Sequence, residues 1–295
     1  MPGRPVPDRP AAAPLAVPGL LPGAERVLAA QGPALPQPDQ LCGPFAAALA
    51  LHAVLASPAS TGAAPPASTR AAAPTAATQG PPPSPADPAV PSATAIAVAA
   101  GTAIWPHDVA DWRPEGAPLL RTGWDELPRA AVLEHSGTDA TGLLRGVEAA
   151  AGDRVVVVPV PGSALDSGAL GALLERLRAA GRPVGVVANV RTGPISPPGA
   201  TWDVGHFVVL LAHDPEGGSG PGSESRGRVL VGDTYAELGA PGLPPGCRWV
   251  AVEALAEALA APPGRGLLLL AGHEDEAAVA GLVDAAGLPR GVWAT

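Results

Sequence analysis

Residues 204–212 read VGHFVVLLA, residues 228–233 read RVLVGD, and residues 248–252 read RWVAV. Each is a short run dominated by apolar and β-branched side chains, shorter than a helix needs to be and flanked by Gly, Asp or Pro, which is the pattern of buried strands. Taken consecutively they predict an antiparallel meander. Upstream, residues 42–56 (CGPFAAALALHAVLA) predict a helix that is apolar nearly all round and therefore buried. Shorter helices are predicted at 23–31, 138–151, 166–180, 253–260 and 275–286, with further strands at 154–160, 183–190 and 266–271. Helices come first and paired strands follow, which argues for an α+β fold rather than a parallel doubly wound one.

Gly and Pro together account for 76 of 295 residues, but ten prolines fall in residues 1–38 and ten more in 57–91. The expected organisation is therefore a disordered arm over 1–19 and one domain over 20–295. A Pro/Ala-rich disordered insertion is expected at 57–93, where large apolar side chains are almost missing. All 18 basic residues are Arg, and Ala, Gly and Pro dominate, the bias of a high-GC genome, so the alanines are read as codon usage more than as helix propensity. A net charge of −9 with no basic stripe argues against nucleic acid as a partner. The apolar runs are strand-length, and prolines punctuate the first residues, so neither a membrane span nor a secretory segment is expected. A cytoplasmic location follows as an expectation. No metal-ligand spacing, phosphate loop or nucleophile elbow is present, and no cofactor is expected.

The chemistry centres on Cys42. It stands where a Pro-rich loop turns into the buried helix, so free N–H groups and the positive end of the helix dipole favour its thiolate. A free cysteine more often serves as a small core residue, and Cys247, at the start of a strand with no helix terminus beside it, is read that way. His206 opens an apolar strand, where an imidazole must either find a partner or face a cleft. His213, seven residues on, should face the opposite side of the sheet. Asp233 ends the next strand, and a hairpin between the two strands brings it toward His206. Asp203 and Asp214 are rivals for that place. A thiol, an imidazole and a carboxylate in that order supply a nucleophile, a base and the group that orients the base. Gln37 and Gln40 precede the helix, and either amide could join the Cys42 N–H as oxyanion donor.

The set Gln37-x4-Cys42-Gly43-Pro44, then Gly205-His206-Phe207-Val208-Val209-Leu210, then a strand closed by Asp233, resembles the papain-like cysteine peptidases. It is similar in particular to the bacterial family that processes double-glycine leaders, and to the relatives of that family. The resemblance implies a papain-like fold, with the Cys-bearing helix packed on an antiparallel β-sheet. It implies Cys42 as nucleophile, His206 as general base, Asp233 as orienter and Gln37 as oxyanion donor, acting on a peptide, amide or isopeptide bond through a Cys thioester. A peptide or protein would be the substrate, or the bound partner of a catalytically silent domain. Two departures stand out. The family's Gln is usually six residues before the Cys, where this chain has Pro36, and Asp233 is followed by Thr234 rather than Pro.

Overall fold

A computed structural model describes residues 17–56, 89–217 and 227–293. Helix α1 spans Ala24–Ala34, α2 Cys42–Leu55, α3 Ala93–Ala100 and α4 Ala140–Ala151. Then come strand β1 (Val155–Pro161), helix α5 (Ser167–Ala180), β2 (Val184–Arg191), β3 (Gly205–Asp214), β4 (Arg228–Gly232), β5 (Cys247–Ala251), helix α6 (Val252–Ala260), β6 (Gly266–Gly272) and α7 (Glu276–Ala285). The fold is α+β. Its six strands form one open sheet in the order β1-β6-β2-β3-β4-β5, and every pairing is antiparallel.

The expected meander is the β3-β4-β5 half of this sheet. In β2, Val184–Val190 is buried without alternation, and so is all of β6 (GLLLLAG). Strands covered on both faces read as continuous apolar runs rather than as in–out alternation. Accordingly, α1 to α4 pack among themselves with α2 lying across β2, β3 and β6, while α5, α6 and α7 form a second group against the sheet. The α2–sheet contact is made by alanines: Ala46, Ala47, Ala50 and Ala53 are fully buried. At Gly185 in β2, a methyl group would lie 2.4 Å from the Ala50 carbonyl oxygen, so helix and strand backbones nearly touch there.

Two boundary expectations need correcting. Of the arm expected over 1–19, residues 17–19 belong to the ordered chain: Gly19 accepts a hydrogen bond from the His213 N–H, and Leu20 bridges to Ala212. The rest of that arm, 1–16, lies outside the described residues. The insertion expected over 57–93 lies outside them as far as residue 88, and its last residue, Ala93, opens α3, capped by Ser92. That helix, ATAIAVAA, buries Ile96, Ala97 and Ala100. Residues 101–130 form mostly irregular structure, in which Ile104, Trp124 and Leu127 make a small second core with Leu41 and Ala97. Among the described residues, no helix is long and apolar enough to cross a membrane.

Candidate active site

Cys42 is the first residue of α2, preceded by Leu41 in a non-helical conformation. Its N–H is one of the four that a helix N-terminus leaves without an intrahelical acceptor. Gly43 packs against the Phe207 ring; a methyl group there would lie 3.2 Å from it. The Cys42 thiol interacts with the His206 ring and with the backbone N–H groups of Phe207 and Gly43.

His206 reaches this point from the start of β3 and is buried, 2% exposed. Its Nε2 lies 3.0 Å from Asp233 Oδ1 and 3.2 Å from Thr234 Oγ1. The Asp233 contact therefore engages Nε2, which leaves Nδ1 for the thiol. The pairing of β3 with β4 stops at Val209–Gly232, three residues short of His206. Asp233 is the first residue past β4, and its side chain closes that gap. Its backbone N–H donates to Gly246, and its carbonyl accepts from the Gln31 amide of α1, at 3.2 Å.

The carboxylate of Asp233 is fully enclosed. Oδ1 accepts from the Tyr235 N–H (3.1 Å) as well as facing His206, and Oδ2 accepts from Arg248 Nη1 (3.0 Å). Arg248, buried in β5, also donates to the carbonyls of Ile195 (3.2 Å) and Leu238 (3.3 Å). The imidazole is walled by two aromatic rings: Trp202 meets it edge-on at 5.0 Å and Tyr235 stacks on it at 5.7 Å.

Burial opposes charge at all three groups, and at all three it is outweighed. Burial would lower the His206 pKa, but the charge and hydrogen bond of Asp233, together with Cys42, lift it to about 9. Burial would raise the Cys42 thiol, but His206 and the two N–H groups bring it below its ordinary value. Burial would raise Asp233 too, and His206 and Arg248 hold it down instead. These directions favour a thiolate beside an imidazolium, braced by an ionised carboxylate. Cys247 differs in kind: it is fully buried, and burial pushes its thiol up to about 12.

The two glutamines separate. Gln40 sits in the left-handed region (φ 65°), and both ends of its amide bind the backbone of Trp105, at 2.8 and 2.9 Å. It is a clamp on the irregular segment and is not free to meet a substrate. Gln37 is buried beside Tyr235, with its Oε1 unpartnered. A small cleft lies next to Tyr235 and is lined also by Asp39, Gln40, Trp112, Arg113 and Trp124. The rival acids stand elsewhere: Asp203 binds Arg191 at 2.6 and 3.0 Å, and Asp214 binds Arg228 at 3.0 Å. His213 is buried near Glu175 of α5, with both ring nitrogens lacking a hydrogen-bond partner.

Residues 21–294 match one family model, described as a family of unknown function (DUF6885). The chain belongs to that family. No curated protein and no solved structure matches it. Among the described residues of this DUF6885 chain, no group of three or more His, Cys, Asp or Glu could hold a metal ion.

The sequence did not point to Arg248, Tyr235, Trp202, Thr234 or Gln31. Arg248 carried the one available signal, a charged residue in an otherwise apolar strand whose end lies beside the strand bearing Asp233.

Proposed function

We propose that this DUF6885 protein is a papain-like cysteine hydrolase or acyltransferase acting on a peptide, amide or isopeptide bond. The observation that carries the reading is His206, hydrogen-bonded to the buried Asp233 carboxylate and interacting with the Cys42 thiol. The position of α2 across an antiparallel sheet, its first residue beside His206, supports the papain-like assignment. The Cys42 thiolate attacks the substrate carbonyl carbon, and the tetrahedral oxyanion is received by the Cys42 N–H and the Gln37 amide. The His206 imidazolium then passes its proton to the leaving amine as the C–N bond breaks, giving a thioester on Cys42. His206, now neutral, removes a proton from water or an acceptor amine, which attacks the thioester and releases the thiolate. Asp233 holds the ring through Nε2 and stabilises its charged form. A peptide or protein is the substrate, and the cytoplasm is the compartment that keeps the Cys42 thiol reduced.

Two measurements test this. Iodoacetamide at pH 6–7 is expected to modify Cys42 at least about 100-fold faster than Cys247, given the opposite shifts of the two thiols. Incubation with a peptide library is expected to yield cleaved or transferred products that disappear in Cys42→Ala and His206→Ala. Fast, selective labelling with no product from any library member would point instead to a catalytically silent domain that binds peptides.

A further inference from the structure

Arg265 immediately precedes β6 and is 7% exposed. Its Nη1 donates to Asn189 Oδ1 at 3.1 Å, and its Nε is enclosed with no acceptor. Among the described residues it has no carboxylate within ion-pair distance. The nearby carboxylate, Asp203, binds Arg191 and the Gly193 N–H. Buried guanidinium groups are ordinarily paired, because taking such a charge from water costs several kcal/mol unless a counter-charge meets it. Burial and the like charge of Arg191 both work against the Arg265 cation. Two guanidinium groups against one carboxylate leave a local excess of one positive charge, in a chain whose net charge is −9.

The position of that charge gives it meaning. Asn189 lies directly opposite Phe207 across β2 and β3, and the Phe207 ring packs on Gly43, the residue next to Cys42. The Arg265 head therefore stands against the start of β3, at Gly205, one residue before His206. Gly205, two residues before Phe207, leaves room for it: a methyl group there would lie 3.0 Å from Nη1 and 3.4 Å from Nη2.

We infer that Arg265 forms an anion subsite beside Cys42 that takes a carboxylate of the substrate, an acidic side chain or a peptide C-terminus. The inference rests on Cys42 being the nucleophile. It is tested on the full chain with alkylating pairs that carry the same reactive group, bromoacetylglycine against bromoacetylglycinamide, and the corresponding pair one glycine longer. Alkylation of Cys42 is followed by intact mass and peptide mapping. The carboxylate reagent is expected to outpace its amide at one of the two lengths. Arg265→Gln is expected to lower that carboxylate-to-amide ratio about 5–10-fold while amide rates stay within about twofold, since a single nearby charge is removed. Arg265→Lys should retain part of the preference, and raising salt from about 50 to 500 mM should erode it in the wild type. If the carboxylate-to-amide ratio is the same in wild type and Arg265→Gln at both lengths, there is no such subsite. If instead no reagent modifies Cys42 faster than Cys247, the nucleophile assignment itself fails and this inference falls with it. The protected Cys247 reports whether either variant has unfolded.

Discussion

Arg248 and His206 hold opposite oxygens of one buried carboxylate, with Nη1 of Arg248 3.0 Å from Asp233 Oδ2 and Nε2 of His206 3.0 Å from Oδ1. In its ionised form the group of four, Cys42⁻, His206⁺, Asp233⁻ and Arg248⁺, carries no net charge. That neutrality lets a buried carboxylate coexist with a thiolate at the N-terminal end of α2. Removing one cation makes every remaining site bind protons more tightly. Arg248→Met is therefore expected to move both limbs of the pH profile of Cys42 alkylation upward by about half a unit to one unit. Arg248→Lys, which restores the charge but not the planar fork, should fall between it and the wild type. A lower amplitude with unmoved limbs would mean that Arg248 only props the loop.

Gly185→Ala is a test of the fold. The new methyl group would sit 2.4 Å from the Ala50 carbonyl oxygen and 3.0 Å from the Ala50 side chain. Neither atom belongs to a flexible side chain, so α2 must lift from the sheet. A loss of about 2–3 kcal/mol in urea unfolding is expected, within the range for overpacked cores. Because α2 begins with Cys42, the same variant should also slow iodoacetamide labelling at pH 7. Wild-type stability and labelling would show that the contact can relax without cost.

Gln31→Leu tests the support behind Asp233. The amide reaches from α1 to the carbonyls of Asp233 (3.2 Å) and Pro245 (2.9 Å), so its loss leaves the buried Asp233 acceptor without its donor. About 1–3 kcal/mol of stability should be lost. On the proposed mechanism, in which Asp233 orients the base and touches no substrate, turnover on whichever library peptide is cleaved should fall more through kcat than KM. An effect confined to KM would contradict that division.

Much of this was legible in the sequence, and the failures have physical causes. The strands of the meander and the buried α2 stood out because apolar runs of strand length and an all-round apolar helix leave few alternatives. The hairpin between the two strands does bring Asp233 to His206, although the ladder ends at Val209–Gly232 and a side chain, not a strand pair, spans the remainder. Helix α3 was missed because an alanine-rich stretch was attributed to codon usage, although alanine is the strongest helix former and its small size lets α2 approach the sheet. Arg248 and Tyr235 were missed because their roles depend on loops, such as Ile195 and Leu238 bending under the β5 end, that no local pattern announces. The Gln37–Gln40 ambiguity could be separated only by seeing Gln40 bound to Trp105.

The raised pKa of His206 makes a prediction about stability that does not depend on any substrate. A group whose folded pKa lies above its unfolded value contributes stability that is complete below the unfolded pKa and is lost as pH rises toward the folded one. For His206 the window runs from about 6.5 to about 9. In the wild type the signal is masked, because the lowered Cys42 pKa has the opposite slope: its thiolate gains stability as pH rises toward the unfolded thiol value. Cys42→Ala removes that counter-term while Asp233 still holds the imidazole. Asp233, its pKa depressed, contributes a constant amount above about pH 5, and the lowered pKa values of His52 and His213 act below about 6.5, outside the window. Cys42→Ala should therefore lose about 1–2 kcal/mol between pH 6.5 and 8.5, a fall in Tm of about 3–6 °C for a domain of this size. In Cys42→Ala/His206→Gln most of that slope should disappear, with a small remainder near pH 8.5 from the raised Cys247 thiol. Equal slopes in the single and double variants would show that the His206–Asp233 contact does not carry a proton at neutral pH, and would remove the electrostatic basis for an activated Cys42.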